Sequence, residues 1–146
     1  MIRLIFTVCF LTIVALPAIA SDDPVHERHE MMEGVKEGAG VIGGMIKGET
    51  EFDSEAAMEA LAVWQKASVE FGHLFPEGTY TGDPETATQE VWSDREGFDE
   101  LLTEFAHKVN TAIQAQPETP EELADAAGPI FKVCKSCHES YRLEDD

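Results

Sequence analysis

Residues 134–142 read Cys-Lys-Ser-Cys-His-Glu-Ser-Tyr-Arg. Cys-x-x-Cys-His is the signature by which a c-type haem is attached covalently to a protein. If the segment is helical, Cys134 and Cys137 lie on one face, because residues three apart are neighbours on a helix surface. Their thiols can then add to the two vinyl groups of one porphyrin edge, and His138 brings an imidazole nitrogen to the iron as proximal ligand. The motif predicts one covalent haem c.

Two other interpretations of these three side chains stay open at this point. A redox Cys-x-x-Cys of the thioredoxin type needs a βαβ context, and no segment before Cys134 has the pattern of a strand. A zinc site built from Cys134, Cys137 and His138 is the other, but adjacent Cys137 and His138 suit zinc coordination poorly. Haem attachment fits the sequence better than either.

Apolar residues at helical spacing surround the motif. Thr119-Pro120-Glu121-Glu122 is a capping box with proline at the first helical position, which predicts the start of a helix. Pro129 inside that helix should kink it, since proline cannot donate to the backbone ladder. The apolar stripe consists of Leu123, Ala127, Ile130, Cys134, Cys137 and Tyr141. The haem cysteines therefore fall in the core-facing seam, and the ring would be buried between helices.

Three earlier segments have the same periodicity, and a loop over residues 75–88 separates the second from the third. Their predicted limits are Asp23-Pro24 to Lys47-Gly48, Asp53 or Ser54 to Gly72, and Ser93 (with a capping box to Glu96) to Pro117. Four helices with narrow apolar stripes pack best as an antiparallel bundle. The predicted fold is all-α: an up-down-up-down four-helix bundle with haem c attached to the C-terminal helix.

The N-terminal residues have the pattern of a secretory signal peptide. A short positive end, Met1–Arg3, precedes an apolar run, Leu4–Leu16, and small residues close the segment at Pro17–Ala20. We expect cleavage after Ala20, so that residues 1–20 are removed and residues 21–146 form the bundle. A retained membrane anchor is the alternative, although the apolar run is short for a span. Because haem c is attached after export in bacteria, the expected compartment is the periplasm.

The charge of the chain restricts its partners. It has 29 acidic and 10 basic side chains and a formal net charge of −19. Nucleic acids and anionic membrane surfaces both favour a basic face, so we expect neither as a partner. The remaining histidines (His26, His29, His73 and His107) are expected at the surface, and no catalytic triad, paired-carboxylate site or phosphate loop is present in the sequence.

Several features together carry a family resemblance. Arg28 is followed four residues later by Met32, residues 45–48 read Met-Ile-Lys-Gly, and residues 91–94 read Val-Trp-Ser-Asp. The haem motif at 134–142 lies late in the chain, whereas small cytochromes c commonly carry it near the N-terminus. Over nearly all of residues 24–142 the chain resembles cytochrome c′, a family of four-helix bundles.

The resemblance implies a set of site residues. It implies a haem held by His138 alone, with Met32 of the first helix covering the distal face. Arg28 and Arg142 match arginines that lie near the haem propionates or the proximal imidazole. It also implies a homodimer formed through the first two helices.

The sixth coordination position leaves alternatives open. If it is empty, the haem is five-coordinate and high-spin, and an apolar pocket favours NO and CO over O₂, which needs a hydrogen-bond donor. Electron transfer would then be a second role. If Met32 or its neighbour Met31 ligates the iron, the protein is a six-coordinate, low-spin electron carrier. A peroxidase-like enzyme needs a distal acid–base group, and the predicted distal stripe has none, so we expect no enzymatic activity.

Overall fold

A computed structural model describes residues 23–83 and 86–143. These residues form five α-helices and one 3₁₀ turn at Phe71–Leu74: α1 (Pro24–Lys47), α2 (Ser54–Glu70), α3 (Glu90–Ser93), α4 (Arg95–Ala115) and α5 (Pro120–Tyr141). The four long helices confirm the predicted all-α bundle, and α3 is a single extra turn. The predicted signal peptide lies outside the described residues.

Each long helix packs against two others. Both α1 and α4 contact α2 and α5, so the buried faces of the four helices meet in the interior. This arrangement buries one stripe of each helix, as expected for an up-down-up-down bundle. In the part of the chain that the structure describes, no helix is long and apolar enough to cross a membrane.

The starts of the long helices follow the capping signals, with one exception, and α2 ends at Glu70, two residues before the predicted Gly72. Asp23 accepts hydrogen bonds from the first free backbone N–H groups of α1, and Gly48 ends it at a φ of 71°. The prediction that Ser93 caps the third long helix is wrong. Ser93 is the last residue of α3, and its hydroxyl donates to Gln89 O at 3.3 Å. Asp94, which has a non-helical φ of −121°, caps α4 instead.

The core has two parts. The main cluster joins all four long helices, and its largest fully buried members are Ile42, Leu61, Trp64, Val109, Leu123 and Ile130. The aromatic cluster consists of Phe75, Val91, Phe98 and Tyr141, with Phe71 and Trp92 against it. Helix α5 contributes to both clusters and is continuous through Pro129.

Candidate haem site

The two motif cysteines lie at the junction of the two clusters. Cys134 packs against the main cluster, and Cys137 packs against the aromatic cluster. Both are free thiols and half-buried. Burial raises the pKa of both, and the nearby Cys134 adds to the effect on Cys137, whose pKa is raised to about 11. Before haem attachment the two side chains are therefore neutral thiols inside an apolar environment.

His138 is the residue after Cys137 and lies on the last turn of α5. The residue as a whole is exposed. Partial burial lowers the pKa of His138, and the positive charge of Arg142 lowers it further. Both effects favour the neutral imidazole, which is the form that binds a metal ion.

The residues after His138 are held by the end of the long loop. The backbone N–H of Thr88 donates to Tyr141 O at 3.0 Å, and that of Leu143 donates to Thr86 O at 2.8 Å. Ala87 and Arg142 form an antiparallel bridge between these two hydrogen bonds. The C-terminal end of α5 is thus fixed to residues 86–88, and the charge of Arg142 acts on His138. The predicted position of Arg142 beside the haem stays a prediction.

Arg28 is the one buried charged side chain among the described residues. Its Nε–H donates to Leu74 O at 2.7 Å, and a terminal N–H group donates to both Thr79 O and Thr79 Oγ1. The guanidinium also lies 4.4 Å from the ring centroid of Phe75 and 5.5 Å from that of Trp92. Arg28 therefore attaches the loop after α2 to α1. Its predicted position beside a haem propionate stays a prediction.

The two candidate distal methionines differ in their packing. Met31 packs against the main cluster, whereas Met32 is half-buried and belongs to neither described cluster. The role of Met32 as the residue that covers the haem stays a prediction. His26, His29, His73 and His107 are exposed, as expected.

One contact was missed by the sequence argument. The hydroxyl of Tyr141 donates to Asp94 Oδ2 at 2.7 Å, which joins the end of α5 to the start of α4. The sequence could have indicated Asp94 as the helix cap. It gives no local signal for the partner Tyr141, which is 47 residues away.

The residues present fit a covalent haem. Two free thiols share one face of α5, apolar and aromatic side chains surround them on both sides, and a neutral imidazole follows in the next position. This is the donor set that thioether attachment with one axial histidine requires.

Comparison with known proteins gives the same result. The family model described as Cytochrome C' matches residues 23–142. A cytochrome c' of Rhodopseudomonas palustris is 30% identical over 127 residues, which cover 87% of this chain and 86% of that protein. A cytochrome c-554 of Cereibacter sphaeroides is 31% identical over 145 residues, covering 92% and 93%. The solved structure of cytochrome c' from Rhodopseudomonas palustris superposes with a TM-score of 0.80 at 27% identity, covering 86% of this chain and all of that one.

The fold and the site thus define a four-helix-bundle protein with covalently attached haem c, and Cys134 and Cys137 fit its attachment motif. The chain belongs to the cytochrome c′ family.

Proposed function

We propose that this protein is a periplasmic haem c protein with five-coordinate, high-spin iron that binds NO and CO. Cys134 and Cys137 form the thioether bonds, His138 is the single axial ligand, and Met32 covers the opposite face. Iron with one free axial position supplies diatomic ligand binding and one-electron redox chemistry. We infer no enzymatic activity, and electron transfer is a second role.

The observation that carries this proposal is the absence of a free hydrogen-bond donor in the described core. Arg28 donates hydrogen bonds to the carbonyls of Leu74 and Thr79, and the hydroxyl of Tyr141 donates to Asp94. The indole N–H groups of Trp64 and Trp92 donate to Val35 O and Pro76 O. No buried side-chain nitrogen or oxygen in residues 23–83 and 86–143 lacks a partner. Bound O₂ is polar and needs a donor, whereas NO and CO need less help, so these side chains favour NO and CO.

The proposal is tested by exposing the reduced protein separately to CO, NO and O₂. We expect a broad, unsplit reduced absorption band, a large shift with CO and NO, and no stable oxygen complex. A stable oxygen complex would contradict the selectivity argument. Met32→Leu, which keeps an apolar side chain of similar volume, should leave the reduced spectrum nearly unchanged.

The second candidate is a six-coordinate electron carrier. It is favoured by the two adjacent methionines of α1, both half-buried and both able to offer a thioether sulfur. In that case the unliganded reduced protein gives sharp α and β bands without a CO response. Met32→Leu or Met31→Leu, whichever removes the ligand, would then broaden these bands and allow CO to bind.

Export and assembly complete the proposal. We infer that residues 1–20 are a signal peptide cleaved after Ala20, which N-terminal sequencing of protein purified from the periplasm would test. We also propose a homodimer through α1 and α2. Val41 on α1 is 41% exposed and Val63 on α2 is 43% exposed, which supports an apolar contact there. Val63→Lys should yield a monomer in light scattering. Val69→Lys, on another face of α2, is the matched control and should leave the dimer intact.

A further inference from the structure

The last turn of α5, which includes His138 and Tyr141, is connected to α4 by one carboxylate. Asp94 Oδ1 accepts the backbone N–H of Gly97 at 3.3 Å and so caps α4. Its other oxygen, Oδ2, accepts the hydroxyl of Tyr141 at 2.7 Å. A single side chain therefore fixes the start of one helix and the end of another. We call this pair of hydrogen bonds the Asp94 link.

Tyr141 connects the Asp94 link to the helical turn that carries His138. It is the last residue of α5, three positions after His138, and only 7% of its surface is exposed. Its ring stands edge-on to Phe98 with the centroids 5.3 Å apart. The N–H of Arg142 donates to His138 O at 3.3 Å, which closes the helical turn between the histidine and the tyrosine. A displacement of Tyr141 would therefore displace the turn that carries the imidazole.

Gly97 lies directly against this hydrogen bond. A Cβ atom at this position would lie 2.5 Å from Asp94 Oδ2 and 2.6 Å from the Tyr141 hydroxyl. Both distances are far below van der Waals contact, so a side chain at residue 97 would force the link apart. A side chain at the third residue of α4 would therefore displace the Asp94 carboxylate or the Tyr141 hydroxyl.

We propose that Tyr141, through its hydrogen bond to Asp94, is a positioning residue for His138 that sets the orientation of the proximal imidazole relative to the haem. This inference rests on the proposed role of His138 as axial ligand. Neither Tyr141 nor Asp94 needs to touch the iron. They act by holding the final turn of α5 against α4.

Four variants separate this role from general stabilisation. Tyr141→Phe keeps the ring and removes the hydroxyl. Asp94→Ser keeps a helix-capping oxygen and is too short to retain the second contact. Asp94→Asn removes the charge but retains polar atoms toward both Gly97 and Tyr141, the amide nitrogen donating to the tyrosine oxygen. The control is Tyr80→Phe, the same chemical change at a tyrosine that is 44% exposed.

The readout is the proton NMR spectrum of the ferric holoprotein. The spread and order of its paramagnetically shifted haem methyl resonances depend on the orientation of the axial imidazole. Tyr141→Phe and Asp94→Ser should change this pattern alike, whereas Asp94→Asn should stay close to wild type and Tyr80→Phe should match it. If Tyr141→Phe and Asp94→Ser lower the unfolding temperature but keep the wild-type pattern, the link is only structural and the inference is overturned.

The failure of the underlying proposal gives a different result. His138→Gly with added imidazole should restore the paramagnetic spectrum if His138 is the axial ligand. If His138→Gly leaves the wild-type spectrum unchanged without imidazole, His138 is not the ligand. The link then has no imidazole to position, whatever the tyrosine variants do.

Discussion

Replacing Gly38 by alanine should destabilise the bundle, although alanine is the better helix former. Gly38 is buried where α1 meets α2, and a Cβ there would lie 2.9 Å from Trp64 Nε1 and 3.5 Å from the Cβ of Ala60. The indole ring cannot move away without loss of stability, because Trp64 is fully buried and donates to Val35 O at 2.9 Å. Gly40, on the same helix, is the matched control, since a Cβ added there would meet no atom within 4 Å other than those of its neighbours and of the α1 backbone.

The magnitudes follow from opposing effects. Alanine gains about 1 kcal/mol over glycine in a helix interior, so Gly40→Ala should raise the free energy of unfolding by up to that amount. At Gly38 the same gain is opposed by overpacking, about 1–3 kcal/mol, and by about 1 kcal/mol if the indole hydrogen bond breaks. Because the indole is fully buried, we expect its hydrogen bond to break, and the net loss for Gly38→Ala is then about 1–3 kcal/mol.

The assay is urea unfolding of the holoprotein followed by circular dichroism at a helix wavelength. In a domain of this size 1 kcal/mol corresponds to about 4 °C in Tm, so thermal scans should separate the two variants by about 8 °C or more. If Gly38→Ala is as stable as Gly40→Ala, the close approach of α1 to Trp64 is not a constraint and the reasoning is refuted.

Three further results are expected. Arg28→Met should lower the free energy of unfolding by about 2–4 kcal/mol in urea titrations, because the carbonyls of Leu74 and Thr79 lose a charged donor. A loss below about 0.5 kcal/mol, which is the size of a surface substitution, would contradict a stabilising role for the buried Arg28. The hydrogen bond to Asp94, together with burial, raises the pKa of Tyr141 from 10.0 to about 12. The neutral tyrosine therefore stabilises the folded state fully below pH 10, and this stabilisation is lost as the pH rises from 10 towards 12. Alkaline unfolding of Tyr141→Phe should therefore show a smaller loss across that interval, and an unchanged profile would contradict the assignment. Cys137→Ala should keep its haem through denaturing electrophoresis by the bond to Cys134, with the pyridine haemochrome band at longer wavelength than in wild type; loss of the haem would argue against attachment at Cys134.

The fold was predictable because several local signals agreed. The caps at Asp23, Asp53 and Thr119 and the apolar stripes specify where the long helices begin and which face each one buries. The haem attachment motif was readable for a similar reason, since its chemistry depends on a spacing of three residues within one helix.

Contacts across the bundle could not be derived in the same way. The anchoring of Arg28 to Leu74 O spans 46 residues, and the bond from Tyr141 to Asp94 spans 47. No local spacing rule relates residues so far apart, because their approach depends on how loop and helices pack together. The error at Ser93 has a related cause: the short helix α3 takes up the serine, so that the next residue becomes the cap of α4.

The contact between residues 86–88 and the end of α5 has a consequence for the order of folding. Thr88 Oγ1 donates to Ser140 O across a separation of 52 residues, so the loop is anchored only after α5 has been synthesised. Closing such a long loop is entropically costly and comes late in folding. Once it closes, Cys137 is packed against the aromatic cluster and is less accessible. Thioether formation should therefore occur on the exported chain before this loop closes, and the anchored loop should slow the entry of haem into a chain that has folded without it.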